Sequence, residues 1–509
     1  MPAYADDPRL LAGGTEGAAA LRPLTGVVLD ALEEGAAARC GPLPRGGPLR
    51  VAEAVRAALE DGPGGGVIPE RGTGAAEALG SLVRMTAQGA ADPADPLCVA
   101  HLHCPPLAVA AAADMAASAL NPSLDSWDQA PAASELEAAT CRALARLVHD
   151  GDGGGSVGPS GGVPDALVTT GGTESNQLGL LLARERFGAG LRVVCGANAH
   201  HSVHRSAWLL GLPEPVRVPA PRGVLEPEAL RGTLASLGGG GPRPVLVVAT
   251  AGTTDSGAID PLSELADVVG EYGRGGAAGR RGVRLHVDAA YGGMLLFSHR
   301  LRARLAGLER ADSVTLDLHK LGWQPVAAGA FVVPDRRALA PLDHSAGYLS
   351  ADDDTAAGLP PLLGRSLRTT RRPDVLKVAV TLRALGRAGL ASLVERTCAV
   401  AVRFSETVAA DGRFELFGAP ALSTVLFRPA GADAAEVSRV RRRLLTDGRA
   451  VLGRAEMPGG GAGEAGSANC GTGGGGGLWL KATLLNPHTR VSDLESLLKL
   501  VHDARSSPP

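Results

Sequence analysis

The sequence is almost empty of lysine. Only Lys320, Lys377, Lys481 and Lys499 stand among 50 Lys and Arg residues. Arginine therefore fills nearly every position where positive charge alone suffices. The seven cysteines are scattered and form no Cys-x-x-Cys pair, which argues against a disulfide framework or a cysteine zinc site and for a reducing, cytoplasmic setting. No apolar run has bilayer length. "LAVAAAADMAASAL" (107–120) is broken by Asp114 and reads as a buried helix. "MPAYADDPRLLAGG" lacks the basic and apolar regions of a secretory signal. A net charge of −3 offers no basic surface for nucleic acid. The expected molecule has no membrane or nucleic-acid partner.

What is present fits a globular chain of two or three domains: 509 residues, 45% hydrophobic and 20% charged. Residues 1–100 alternate helical patches such as "RVAEAVRAALED" with Gly/Pro-rich breaks. From 163 to about 335 the rhythm changes. "DALVTT", "RVVCGANAH", "PVLVVATAGTT", "VRLHVDAAYGG", "DSVTLDLHK" and "AGAFVVP" are strand-like runs interleaved with helical segments. That alternation predicts a mostly parallel sheet covered on both faces, with functional residues on loops at the strand ends. Residues 343–362 read as a loop, and 458–477 as a flexible Gly-rich insert.

Four pieces carry chemistry. Lys320 ends a strand-like run, and a lysine amine, unlike a guanidinium, sheds its proton and forms a Schiff base. Asp288 closes the apolar run "LHVDAA", where a buried carboxylate needs a partner. That partner is either an arginine or a cationic ring nitrogen such as that of pyridoxal phosphate. "TTGGTESN" (169–176) is a Gly turn opening a helix, a shape that binds phosphate through free backbone N–H groups or is simply capped by Thr173. "HHSVH" sets His200 and His204 four residues apart. That spacing permits a metal site but has no carboxylate or cysteine nearby in the chain, and a single histidine stacked on a flat ring is the alternative.

In this order, together with "HVDAAYGG", "LHK", "AHLHCPPL", "NPSLDSWDQAPAASELE", "GWQPVAAGAF" and "LKATLLNP", the chain resembles the pyridoxal-phosphate-dependent group II amino-acid decarboxylases. The likeness runs over roughly 98–490 and leans toward the bacterial branch acting on diamino acids, such as L-2,4-diaminobutyrate and siderophore-pathway lysine decarboxylases. The resemblance implies a fold-type I α/β enzyme with a mostly parallel seven-stranded sheet flanked by helices. It implies a helical N-terminal segment (1–105) swapped within a homodimer, a large cofactor domain (106–390) and a smaller α+β C-terminal domain (391–509). Lys320 would hold pyridoxal 5′-phosphate, Asp288 would pair with its ring nitrogen, and His200 would stack on the ring. Gly171, Gly172 and Thr173 would cradle the phosphate, joined by Asp317 and His319. Thr250 and Ala290 would touch the ring. Asp317 departs from the Asn of some relatives, and an acid beside a phosphate needs neighbouring cations or its own protonation to offset it.

The same resemblance makes Tyr348, in the 343–362 loop, the acid that protonates Cα. His101, His103, Trp127 and Asp128 would line the substrate pocket across the dimer interface, with Asp125 or Asp128 holding a distal ammonium group or serving only to cap helices. Alternatives on this reading are an aromatic or acidic amino-acid substrate, an aminotransferase on the same fold, and a cofactor-free binding protein.

Overall fold

Short β-branched runs between helices set the architecture. The computed structural model describes residues 10–60, 66–149, 162–237, 243–273, 282–343, 349, 352–458 and 477–506. Seven strands form the larger sheet: β1 (Asp165–Thr169), β2 (Arg192–Gly196), β3 (Val216–Val218), β4 (Val245–Thr250), β5 (Val283–Ala289), β6 (Ser313–Asp317) and β7 (Gly329–Val333). Their order is β1-β7-β6-β5-β4-β2-β3. β3, β2, β4, β5 and β6 are parallel, and β7 alone runs against both of its neighbours, β6 and β1. Every residue of β4 is buried, as a sheet covered on both faces requires.

Parallel direction brings the carboxyl ends of β2, β4, β5 and β6 to one edge, where open α/β sheets bind ligands. The reversed β7 enters at that edge. Gly329 pairs with Asp317 on one side and Thr169 on the other. A Cβ on Gly329 would lie 2.5 Å from the Gly171 Cα, so glycine is what lets the β1 turn close over β7.

A helix Val375–Ala410, interrupted at Gly386, leads to a four-stranded antiparallel sheet. Its strands are β8 (Phe414–Leu416), β9 (Thr424–Pro429), β10 (Gly453–Met457) and β11 (Gly477–Thr483), in the order β10-β11-β9-β8. Helices Ala434–Thr446 and Val491–Ser506 close its core with Val437, Val440, Leu444, Leu494, Leu497 and Val501. Helices Gly17–Arg39 and Ala75–Gly89 pack together near the N-terminus. The chain then reaches the smaller sheet. The Val99 N–H donates to the Val451 carbonyl at 2.9 Å, and the Val99 carbonyl accepts from the Thr483 N–H at 2.7 Å.

The run expected as a buried helix forms Ala108–Leu120. It buries Ala110, Ala113 and Ala117 but leaves Met115 and Leu120 exposed, so it is a half-buried surface helix. Among the described residues no helix is long and apolar enough to cross a membrane. Tyr348 and all but the two ends of the 458–477 insert lie outside the described residues.

Candidate active site

The strand ends enclose a cavity of about 250 Å³. Gly171, Gly172, Thr173, His200, Thr250, Asp288, Ala290, Asp317, His319 and Lys320 all line it. These residues come from segments up to 149 positions apart, and the sheet gathers all ten.

The Gly pair forms one wall. Gly171 has φ +143°, and a Cβ there would sit 2.7 Å from His319 Cε1. A Cβ on Gly172 would press on Ala290 Cβ at 3.1 Å and Asp317 Oδ2 at 3.2 Å. The turn opens the helix Gly172–Phe187, whose first N–H groups lack intrahelical partners. Glu174 is held by Thr170, whose N–H and hydroxyl both donate to it at 2.7 Å.

Lys320 Nζ lies 2.9 Å from Asp317 Oδ2, and His319 Nε2 lies 3.6 Å from the same oxygen. The Lys320 ammonium thus offsets the Asp317 charge, with the His319 ring beside it. Asp317 Oδ1 is buried without a hydrogen-bond partner. An orphaned acceptor of this kind carries a desolvation cost unless something fills the space beside it.

Asp288 is buried at the end of β5. Its Oδ2 accepts from Asn176 Nδ2 at 2.7 Å and its Oδ1 from the Ala290 N–H at 3.1 Å. Among the described residues no arginine forms an ion pair with it, leaving its carboxylate to serve the cavity. His200 sits where the turn after β2 enters the helix Ser202–Leu209. Burial holds its pKa below the ordinary value against the pull of Asp288. A flat, anionic-headed, cationic-ringed cofactor fits these groups: a glycine cradle at one end, a prepared carboxylate at the other, an imidazole on the wall and a lysine amine between.

His204 does not turn toward the cavity. Its Nδ1 lies 3.0 Å from Glu214 Oε1, and its Nε2 lies 3.9 Å from Cys195 Sγ. A cysteine nine residues before His204 and a carboxylate ten residues after it do approach the ring, yet among the described residues no three ligating side chains converge on a point suited to a metal. His101, His103, Trp127 and Asp128 are not among the residues that line the cavity of a single chain, and His101, His103 and Asp128 are exposed. Asp125 is buried and accepts from Gln129 Nε2 at 2.7 Å.

Several cavity residues were not singled out from the sequence. Leu102, Thr170, Asn176, Gly252, Thr254 and Tyr291 also line the space. Lys481 approaches from β11 and donates to the Thr254 carbonyl at 2.9 Å. Burial lowers its pKa, and burial together with the Lys481 charge lowers that of His101.

The Thr250 edge is held by Asp260. This carboxylate accepts from the Thr250 N–H at 2.7 Å, the Leu225 N–H at 2.9 Å and Asn198 Nδ2 at 2.9 Å. Burial pushes its pKa up to about 6 in spite of those donors. The sign follows from proton counting. Between the unfolded value near 4 and the folded value near 6, the native state keeps a proton that the unfolded chain has lost, so this group's contribution to stability falls as pH rises through that window and is flat above it. Relative to Asp260→Asn, wild-type protein is expected to lose about 2 kcal/mol between pH 4.5 and 7.5. Urea denaturation of both proteins at the two pH values checks this, and a constant difference between them would disprove it.

The comparisons with known proteins agree with this geometry. The pyridoxal-dependent decarboxylase conserved domain matches residues 79–430. L-2,4-diaminobutyrate decarboxylase of Rhizobium meliloti is 39% identical over 447 residues, covering 85% of this chain and 83% of that protein. The Acinetobacter baumannii protein of the same name is 33% identical, covering 70% and 72%. Among solved structures, the glutamate decarboxylase domain of diaminobutyrate-pyruvate transaminase and L-2,4-diaminobutyrate decarboxylase from Vibrio parahaemolyticus has a TM-score of 0.78 at 28% identity and covers 97% of both chains. Oryza sativa TDC with PLP and tryptamine shares the fold, with a TM-score of 0.80 at 22% identity over 97% of this chain and 99% of that one. With the cavity, the lysine and the family domain in register, the chain belongs to the pyridoxal-dependent decarboxylases and is a carboxy-lyase that uses pyridoxal 5′-phosphate on an amino acid.

Proposed function

We propose that the substrate is a diamino acid, with L-2,4-diaminobutyrate the first candidate and L-lysine the second. The observation that carries this is the likeness to the Rhizobium meliloti L-2,4-diaminobutyrate decarboxylase over 85% of the chain. Side-by-side CO₂ release from L-2,4-diaminobutyrate, L-lysine, L-ornithine, L-tyrosine and L-glutamate tests it. The expected result is a kcat/KM for a diamino acid at least about tenfold above the others, the size of one good charge-assisted contact. Preference for tyrosine or glutamate would overturn it.

We assign the residue roles from the family resemblance, supported for the described residues by their place on the cavity lining. Bound pyridoxal phosphate supplies the electron sink that lets the bond between Cα and the carboxylate break. Lys320 holds the cofactor through its amine, and Asp317 steadies that side chain before loading. Asp288 keeps a proton on the ring nitrogen. Gly171, Gly172 and Thr173 present N–H groups to the phosphate, with His319 beside them. His200 covers one ring face, while Thr250 and Ala290 bound the other side of the cavity. Tyr348 is the proton donor to Cα; in the same substrate panel Tyr348→Phe should yield oxidised or transaminated by-product alongside amine, and unchanged amine yield and rate would remove it from this role.

Because His101, His103, Trp127 and Asp128 stand outside the cavity of one chain, their substrate role requires a second copy. We place them in a homodimer whose partner completes the pocket, with the 1–105 segment exchanged between copies and the boundaries of the other two domains near 106–390 and 391–509. A cytoplasmic location goes with the free cysteines found at all six described positions.

A further inference from the structure

A buried hydrogen-bond chain with Asn176 at its centre runs from the cavity wall into the core. Asn176 is fully buried on the helix Gly172–Phe187. Its Nδ2 donates to Asp288 Oδ2 at 2.7 Å and to Ser202 Oγ at 2.9 Å. Its Oδ1 accepts from Thr315 Oγ1 at 2.7 Å and lies 3.0 Å from His286 Nε2. The amide thus uses both donors and both acceptor sites. Only this orientation works, because the reversed amide would set its oxygen against the Asp288 carboxylate.

The orientation fixes the direction of every bond beyond it. On one side, His286 must donate through Nε2, which leaves Nδ1 to accept from Ser313 Oγ at 2.8 Å. Burial drives the His286 pKa down to about 4, so the ring is neutral and holds one proton. On the other side, Ser202 Oγ takes a hydrogen from Asn176 and has its own to give to His200 Nδ1, 2.8 Å away. The Ser202 backbone N–H, which only donates, points at the same Nδ1 from 3.3 Å. Nδ1 of His200 is therefore an acceptor, and its single proton sits on Nε2.

We infer that Asn176 is a positioning residue that aims the Asp288 carboxylate and, through Ser202, reinforces the Nε2–H form of His200, coupling the two groups through one amide. The inference rests on the proposed placement of Asp288 at the cofactor's ring nitrogen and His200 at its face. It adds a cavity-lining residue that acts through the two groups it holds, and it assigns work to Thr315 and His286, which are not among the residues lining the cavity.

The test uses full-length Asn176→Ala loaded with pyridoxal phosphate labelled with ¹⁵N in the ring. Removing a hydrogen bond to a charged group should raise the cofactor's Kd about ten- to a hundredfold. The ring nitrogen's ¹⁵N shift should move toward the unprotonated value, and histidine ¹⁵N spectra should show Nδ1-protonated His200 appearing. A purely structural role would lower Tm and leave both nitrogen signals in place. Thr315→Val removes one of the two donors that orient the amide while keeping side-chain shape, so it tests the same idea in a gently altered fold. It should weaken cofactor binding by a smaller factor, about threefold. Cofactor affinity and ¹⁵N shifts at wild-type values in Thr315→Val and in folded Asn176→Ala would overturn the inference alone. Failure of wild-type protein to take up pyridoxal phosphate would overturn the premise along with it.

Discussion

Lys320→Ala is expected to cut CO₂ release by at least about 10³-fold and to abolish the visible absorbance of tightly held cofactor, because the nucleophilic amine is gone. Lys320→Arg should lose as much. It preserves the charge and a partner for Asp317, which now stands 2.9 Å from the amine, but a guanidinium does not deprotonate in the working range. The pair of variants thus separates charge from nucleophilicity. Decarboxylation by Lys320→Arg within tenfold of wild type would show that the ion pair, and not the amine, is what the site requires. The decarboxylation assay and an absorbance scan on the same samples decide it.

The second large effect concerns stability. Glu137→Ala is expected to destabilise the protein by about 3–5 kcal/mol, the usual cost of leaving a buried charge without its partner. Arg371 meets Glu137 through three N–O contacts of 2.8–3.0 Å, with both side chains at 5% exposure or less. Arg371 also donates to the Leu124 carbonyl at 3.2 Å, and its own carbonyl accepts from the Leu124 N–H at 2.8 Å. One ion pair therefore pins the segment carrying Trp127 and Asp128 to the start of the long helix Val375–Ala410. Replacing both partners with apolar residues of similar volume should restore most of the loss. Chemical denaturation of the single and double variants measures this. A Glu137→Ala protein within 1 kcal/mol of wild type would mean that water or rearrangement satisfies Arg371.

The contrast between these two sites explains what the sequence discloses. Lys320, Asp288 and the Gly turn are legible because their chemistry restricts residue type and their strands end where loops begin. Scarcity of lysine is a broader signal than catalysis. Lys377 is fully buried between Asp114 at 3.1 Å and Asp374 at 3.4 Å, and Lys481 is nearly so; lysine persists here in confined sites as well as reactive ones. The network through Asn176 was not legible. Its four partners come from the segment after β2 and from β5 and β6, and only strand register brings Thr315 opposite Asp288. Alternating strands and helices announced a mostly parallel sheet, but the reversal of β7 depends on how Gly329 fits between Asp317 and Thr169, a contact with no local signature.

The bonds from Val99 to Val451 and Thr483 also set a schedule for synthesis. Val99 leaves the ribosome ~380 residues before Thr483, its final hydrogen-bond partner. At roughly 5–20 residues per second that wait is on the order of tens of seconds. Leu102, three residues further on, lines the cofactor cavity, and Cys104 Sγ reaches the His319 carbonyl at 3.2 Å. The cavity wall is therefore secured in stages, its bond to His319 available once residue 319 is made and its Val99 bonds only after residues 451 and 483. A polypeptide halted before residue 483 would lack the last of these bonds while holding all residues of the others.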